Sequence, residues 1–236
     1  MLNATGVIAV TDRMNSAAAT GEIVTIFIGP QKKRYNIHKD IICHHSEYFR
    51  AAYNGRWKEA DEGVTLEDVE VEVFHIFVHW LYTQRLPTKS EYDGIVTDAD
   101  PGKLDDSEKV DGGYGVLKAC AFANRFLVAD FERITHDFCI QTWIGASLGV
   151  SYKYIIFSYQ NLPDDSLILK LMVEIQCLFW ISSCDEPDEM EIRPELPHKF
   201  LIDVMSRHAE LRETGDYQGG KLNAVDFYIG ARTKEG

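Results

Sequence analysis

A run of branched and aromatic residues, Ile23-Val24-Thr25-Ile26-Phe27-Ile28, stops at Gly29-Pro30. After the polar Gln31-Lys32-Lys33 a second short run follows, Arg34-Tyr35-Asn36-Ile37. Two such runs split by turn residues predict a β-hairpin. Most of the patterned sequence beyond it has helical spacing, so a small sheet packed on helices is the architecture available, and the chain belongs to the α+β class.

Helical patterning begins at Lys39 with Ile41 and Ile42. Ser46 then gives a second start signal: its hydroxyl can accept the amide of residue 48 or 49, and Glu47, Tyr48, Phe49, Ala52 and Tyr53 suit a capped helix ending at Asn54-Gly55. Val64-Thr65-Leu66 reads as a third strand. Over 71–82, Phe74, Phe77, Val78 and Leu81 stand at i, i+3, i+4 and i+7, one face of an amphipathic helix that Pro87 closes off. Residues 88–113 hold eight acids and three Lys with few large apolar side chains. They read as a disordered acidic insertion, because so little apolar surface cannot offset the ordering entropy. Helices are predicted at 114–128 and 131–144, joined at Ala129-Asp130, and then at 152–159, 167–183 and 197–212, before a loose glycine-marked tail. Residues 1–20 read as a disordered segment, and no fixed-period repeat is present.

The 236 residues carry a formal charge of -13, which argues against nucleic acid as a partner, since phosphate binding rests on clustered Lys and Arg. Most of that charge sits in two places: the insertion, and residues 185–216 with ten acids against four cations. The five cysteines are widely spaced without a C-x-x-C and read as reduced and intracellular, which leaves Asn3-Ala4-Thr5 an idle sequon. The N-terminus lacks the basic region of a signal peptide, and the most apolar run, 167–183, is interrupted by Lys170 and Glu174, so no membrane partner is expected. His38, Cys43, His44 and His45 fit no closed tetrahedral metal set. Cys43 and His44, as helix neighbours, diverge by roughly 100° and cannot act as nucleophile and base. No phosphate loop, nucleophile elbow or H-E-x-x-H is present. No catalytic residue, metal, cofactor or small-molecule substrate is expected, and the chain reads as a non-enzyme.

The order strand, strand, helix, helix, strand, helix, insertion, helix, helix resembles the BTB/POZ domain family. The residues that carry the likeness are Glu22-Ile23-Val24; the signature from His38-Lys39 through Ile41-Ile42 to Ser46-x-x-Phe49; Trp57-Lys58-Glu59; Val64-Thr65-Leu66; and Phe77-x-x-Trp80-Leu81-Tyr82-Thr83. The run Ala123-Asn124-Arg125-Phe126 resembles the family's next helix. In particular the chain is similar to the stand-alone BTB proteins of filamentous fungi, which often carry such an insertion.

The resemblance implies a BTB/POZ domain over 21–145, a short three-stranded sheet with helical hairpins, followed by a helical C-terminal extension over 146–236. His38, Ser46, Phe49, Phe74, Leu81 and Tyr82 would be structural, with Phe49, Phe74, Phe77, Leu81 and Tyr82 in a shared core and the His38 ring spent on nearby backbone. It further implies an intracellular, cytoplasmic or nuclear protein–protein interaction module. As a substrate adaptor for a cullin-based ubiquitin ligase, Trp57 would supply the apolar anchor and Glu59 the charge at the scaffold contact. The alternative is a BTB-mediated oligomeriser or transcription-associated scaffold with no ubiquitin link. A homodimer would draw on Ile41, Ile42, His45, Tyr48, Phe49 and Tyr53 or their exposed neighbours.

Overall fold

The computed structural model describes residues 21–54, 63–99, 112–146, 149–181, 183, 185–215 and 222–230. The disordered N-terminal segment expected at 1–20, the scaffold residues Trp57 and Glu59, and residues 100–111 of the insertion lie outside the described residues.

Strand β1 (Ile23–Ile28) pairs antiparallel with β2 (Lys33–His38), Ile26 opposite Tyr35, as the hairpin reading requires. The turn holds Gly29 and Lys32 at φ 72° and 52°. Helix α1 (Lys39–His45), helix α2 (Glu47–Ala52) and β3 (Val64–Leu66) follow, and β3 lies parallel to β1 with Ile26 beside Val64. The sheet order is β2-β1-β3. A parallel neighbour cannot follow from a tight turn, so the chain must cross over, and α1 and α2 lie on that crossover. Gly63 enters β3 at φ 86°, where a Cβ would sit 2.8 Å from the Thr25 carbonyl oxygen; only glycine fits there.

Helix α3 (Val71–Thr83) buries Val73, Phe74, Ile76, Phe77, Trp80 and Leu81, and ends at Gln84 in the left-handed region. Gln84 donates its side-chain amide to the carbonyls of Trp80 and Leu81, covering acceptors that the helix end leaves open.

Helix α4 (Lys89–Ala99) corrects the reading of 88–113 as wholly disordered. Tyr92 and Val96 are buried at i and i+4, the Tyr92 hydroxyl donates to Glu72, and Glu91 closes the first turn by accepting from Thr88 N–H at 2.8 Å and from Arg85. One apolar stripe and one cap suffice locally where the average composition of the segment does not.

Helices α5 (Gly112–Arg125) and α6 (Ala129–Ala146) are joined at 126–128, and α6 starts two residues ahead of the predicted 131. Then come α7 (Tyr152–Asn161), α8 (Leu167–Phe179), the short α9 (Pro187–Ile192) and α10 (His198–Thr214). Single 3-10 turns at Arg193–Glu195 and Ala224–Phe227 complete the described chain. Neither α9 nor these turns was legible as periodicity, being too short to repeat.

The compact units divide the chain differently from 21–145 and 146–236. Of the described residues, one holds those from 21 to 99 and 122–131, the other 112–121 and those from 132 to 230. The reason lies in which helices the aromatic rings choose. In the second unit Tyr114 packs on Tyr154 and Phe157 at 5.2 and 5.6 Å, and Trp143 on Tyr154 at 5.8 Å. Asp185 locks this unit from the inside, accepting the Tyr152 hydroxyl at 2.8 Å and the Trp180 indole N–H at 2.7 Å. In the first unit Phe49, Phe77, Phe126 and Phe131, each 0–2% exposed, form one contiguous aromatic core with Trp80. Each such side chain contributes about 1.5–3 kcal/mol of burial.

Candidate functional site

Ser46 is the hinge between α1 and α2. Its own amide donates to Ile42 C=O at 3.0 Å, ending α1, and its hydroxyl accepts the Phe49 N–H at 3.1 Å, starting α2 as expected. The same hydroxyl donates to Phe126 C=O at 2.7 Å, and the Glu47 N–H donates to Leu127 C=O at 3.3 Å. The first turn of α2 is thereby fastened to the end of α5.

That end is a Schellman-type stop: Val128 N–H donates to Ala123 C=O at 2.9 Å and Leu127 sits at φ 53°. Glycine is the usual occupant, because an L side chain there costs about 1–2 kcal/mol. Here the residue is leucine, and it is 54% exposed. Tyr48, 37% exposed, packs edge-on against Phe126 at 4.9 Å. Leu127 and Tyr48 thus both face solvent where the first turn of α2 meets the end of α5. Beside them Arg125 lies 4.9 Å over the Phe126 ring and grips both oxygens of Asp68, one at 3.2 Å, which holds the Asp68 carboxyl below its ordinary range.

A second exposed patch lies at the end of the hairpin. Ile23 is 59% and Tyr82 41% exposed, and the Tyr82 hydroxyl accepts the His38 N–H at 3.3 Å and lies 2.9 Å from His38 Nδ1. Glu22 and Lys39 pair beside it at 3.0 Å. Two expectations change accordingly. The His38 ring meets a side chain, not backbone, and Tyr82 leaves the shared core because it follows the buried stripe position Leu81 and turns outward.

The residues expected at a dimer contact do not make one surface. Ile41, Ile42, Phe49 and Tyr53 are 0–3% exposed and belong to the interior of a single chain. Tyr53 donates to Thr25 C=O at 3.0 Å, and burial pushes its hydroxyl upward. His45 is half-buried against Trp80 at 5.1 Å, and burial, then neighbouring His44, keeps it below the usual histidine range. Only Tyr48 among the six stands clearly in solvent. Phe74 and Leu81 are fully buried as expected.

Leu127 was missed. The available signal was the run Arg125-Phe126-Leu127-Val128, which leads from one helix to the next without glycine or proline. Among the described residues no group of three or more His, Cys, Asp or Glu is arranged to hold a metal ion, and no helix is long and apolar enough to cross a membrane. Cys120 and Cys177 are held by burial at about 12 and about 11, as inert core thiols.

A small mixed sheet fastened to aromatic helical hairpins, with Ile23, Tyr48, Tyr82 and Leu127 exposed among the described residues, fits a protein–protein interaction module. The BTB/POZ domain model matches residues 14–105, and the chain is a BTB/POZ domain-containing protein.

Proposed function

We propose that this protein is a substrate adaptor that docks a helical scaffold of the cullin type through its first unit, while the segment 146–236 holds a client. The observation that carries the reading is Leu127, an exposed leucine kept in a strained left-handed conformation beside exposed Tyr48. Strain held at a solvent-facing apolar side chain, where glycine would relieve it, is a mark of a contact residue. Trp57 and Glu59, five and seven residues beyond the end of α2, would add the apolar anchor and the charge. Titrating the full chain with a cullin N-terminal domain tests this against Trp57→Ala, Glu59→Ala and Leu127→Asp. Wild-type binding at micromolar concentration, weakened by each substitution, is expected; no wild-type binding at tens of micromolar would remove the adaptor reading.

A second reading, an intracellular oligomeriser or transcription-associated scaffold without a ubiquitin link, rests on Ile23 and Tyr82, exposed together at the hairpin end. In that reading the homodimer contact moves from Ile41, Ile42, Phe49 and Tyr53 to these two residues.

A further inference from the structure

Helices α7 and α8 pack together, and the turn 162–166 joins them at one end. At the other end the start of α7 and Trp180, which caps α8, are bridged by the segment 185–196. That segment carries six acids, Asp185, Glu186, Asp188, Glu189, Glu191 and Glu195, against the single cation Arg193. Among the described residues between Cys177 and Phe200 no apolar side chain is buried, and Met190 on α9 is 49% exposed. Apolar burial supplies most of the cohesion of a fold, so this stretch is held by other means.

What holds it is polar. The Asp185 side chain, 3% exposed, accepts the Tyr152 hydroxyl at 2.8 Å and the Trp180 indole N–H at 2.7 Å, and Arg193 lies 3.8 Å from Asp185 and 5.8 Å over the Trp180 ring. Burial and the Asp185 carboxylate push the Tyr152 hydroxyl up to about 12, so it stays a donor. Four residues on, Glu189 accepts the Tyr152 N–H at 3.1 Å. That amide is one of the four that a helix start leaves open, and the side chain of neighbouring Ser151 makes no capping bond. The cap of α7 comes instead from 37 residues away, with a charge that suits the helix dipole.

We propose that 185–196 is a detachable strap: it opens as one unit while α7, α8 and α10 stay folded, and its opening uncaps α7 and bares Tyr152 and Trp180, next in sequence to exposed Ile181. The inference concerns this unit alone and does not rest on scaffold docking. A segment with few buried apolar contacts opens at a lower free energy than the fold that carries it. Only four residues separate the two anchoring carboxylates, so freeing either one loosens the other.

Amide hydrogen exchange of the full chain, read by mass spectrometry at neutral pH, tests the strap, with circular dichroism confirming that each variant is folded. In the wild type the hydrogen-bonded amides of 190–193 should exchange at least about tenfold faster than those of α8. Glu189→Ala should speed them, and the Tyr152 amide, by about a further tenfold while α8 stays protected. Asp185→Asn should act in the same direction; Glu189, nearer the surface, carries the test if that variant does not fold. Three results would each overturn the proposal. Protection of 190–193 equal to that of α8 would mean that the segment opens only when the whole unit unfolds. A Glu189→Ala effect confined to the Tyr152 amide would make Glu189 an ordinary cap, and faster exchange throughout α8 would make the segment part of the core.

Discussion

Replacing Ser46 by alanine removes two hydrogen bonds made by one buried hydroxyl. The Phe49 N–H loses its 3.1 Å acceptor, an N-cap whose deletion costs about 1 kcal/mol. The Phe126 C=O loses its 2.7 Å donor in a fully buried setting, and an orphaned buried acceptor costs about 1–3 kcal/mol. The expected total is about 2–4 kcal/mol, or a fall in melting temperature of roughly 5–15 °C for a chain of this size. Ser46→Gly separates the two effects, because glycine is nearly as good an N-cap but donates nothing. Urea denaturation followed by tryptophan fluorescence should therefore rank wild type above Ser46→Gly and Ser46→Gly above Ser46→Ala. If Ser46→Ala costs less than about 1 kcal/mol, the fastening of α2 to the end of α5 contributes nothing beyond an ordinary cap, and the account of how Tyr48 and Leu127 are held in place fails.

Leu127→Gly should raise stability by about 0.5–1 kcal/mol, since glycine accepts φ 53° without strain, while weakening scaffold binding; a variant that loses stability would show that the leucine packs more than it strains. Acid should destabilise the chain in a defined window. His136 is 3% exposed, with Asp137 3.5 Å from its Nδ1, and burial holds it below the ordinary histidine range, as it does His45 and His79. The unfolded chain thus takes up these protons first, and stability falls as pH drops from about 6.5 through the folded-state values, by at most about 1.4 kcal/mol per pH unit for each histidine. His136→Leu should make that fall shallower in denaturation series between pH 7 and 5; identical slopes would remove His136 as a contributor.

The hairpin, the Ser46 cap and the α3 stripe were legible because each is a local rule acting on neighbours: turn residues, an N-cap, a period. What the sequence hid were effects of partners distant along the chain. Ile41, Ile42, Phe49 and Tyr53 carry the composition of a contact surface and of a core alike, and only burial in the folded chain decides for core, as where Phe49 stacks on Phe77 and Phe126. Helix α4 was hidden by averaging, since eight acids in 88–113 outweighed Tyr92 and Val96, the two residues that fix it. The Leu127 position depends on a backbone sign that no side-chain pattern reports, and Tyr82 was assigned inward although it lies off the stripe that holds Phe74, Phe77 and Leu81.

The three-strand order places β2 and β3 at the outer positions of the described sheet. β3 is only three residues long, and β2 opens with Lys33 and Arg34. Short length and cationic side chains are the two simplest ways to stop strand-on-strand growth between molecules. A BTB/POZ domain meets protein partners, and an open strand edge on it would recruit neighbours without discrimination. Blunting both edges leaves its associations to side-chain fit, reversible and selective, and keeps the ribbon at its centre from seeding fibres.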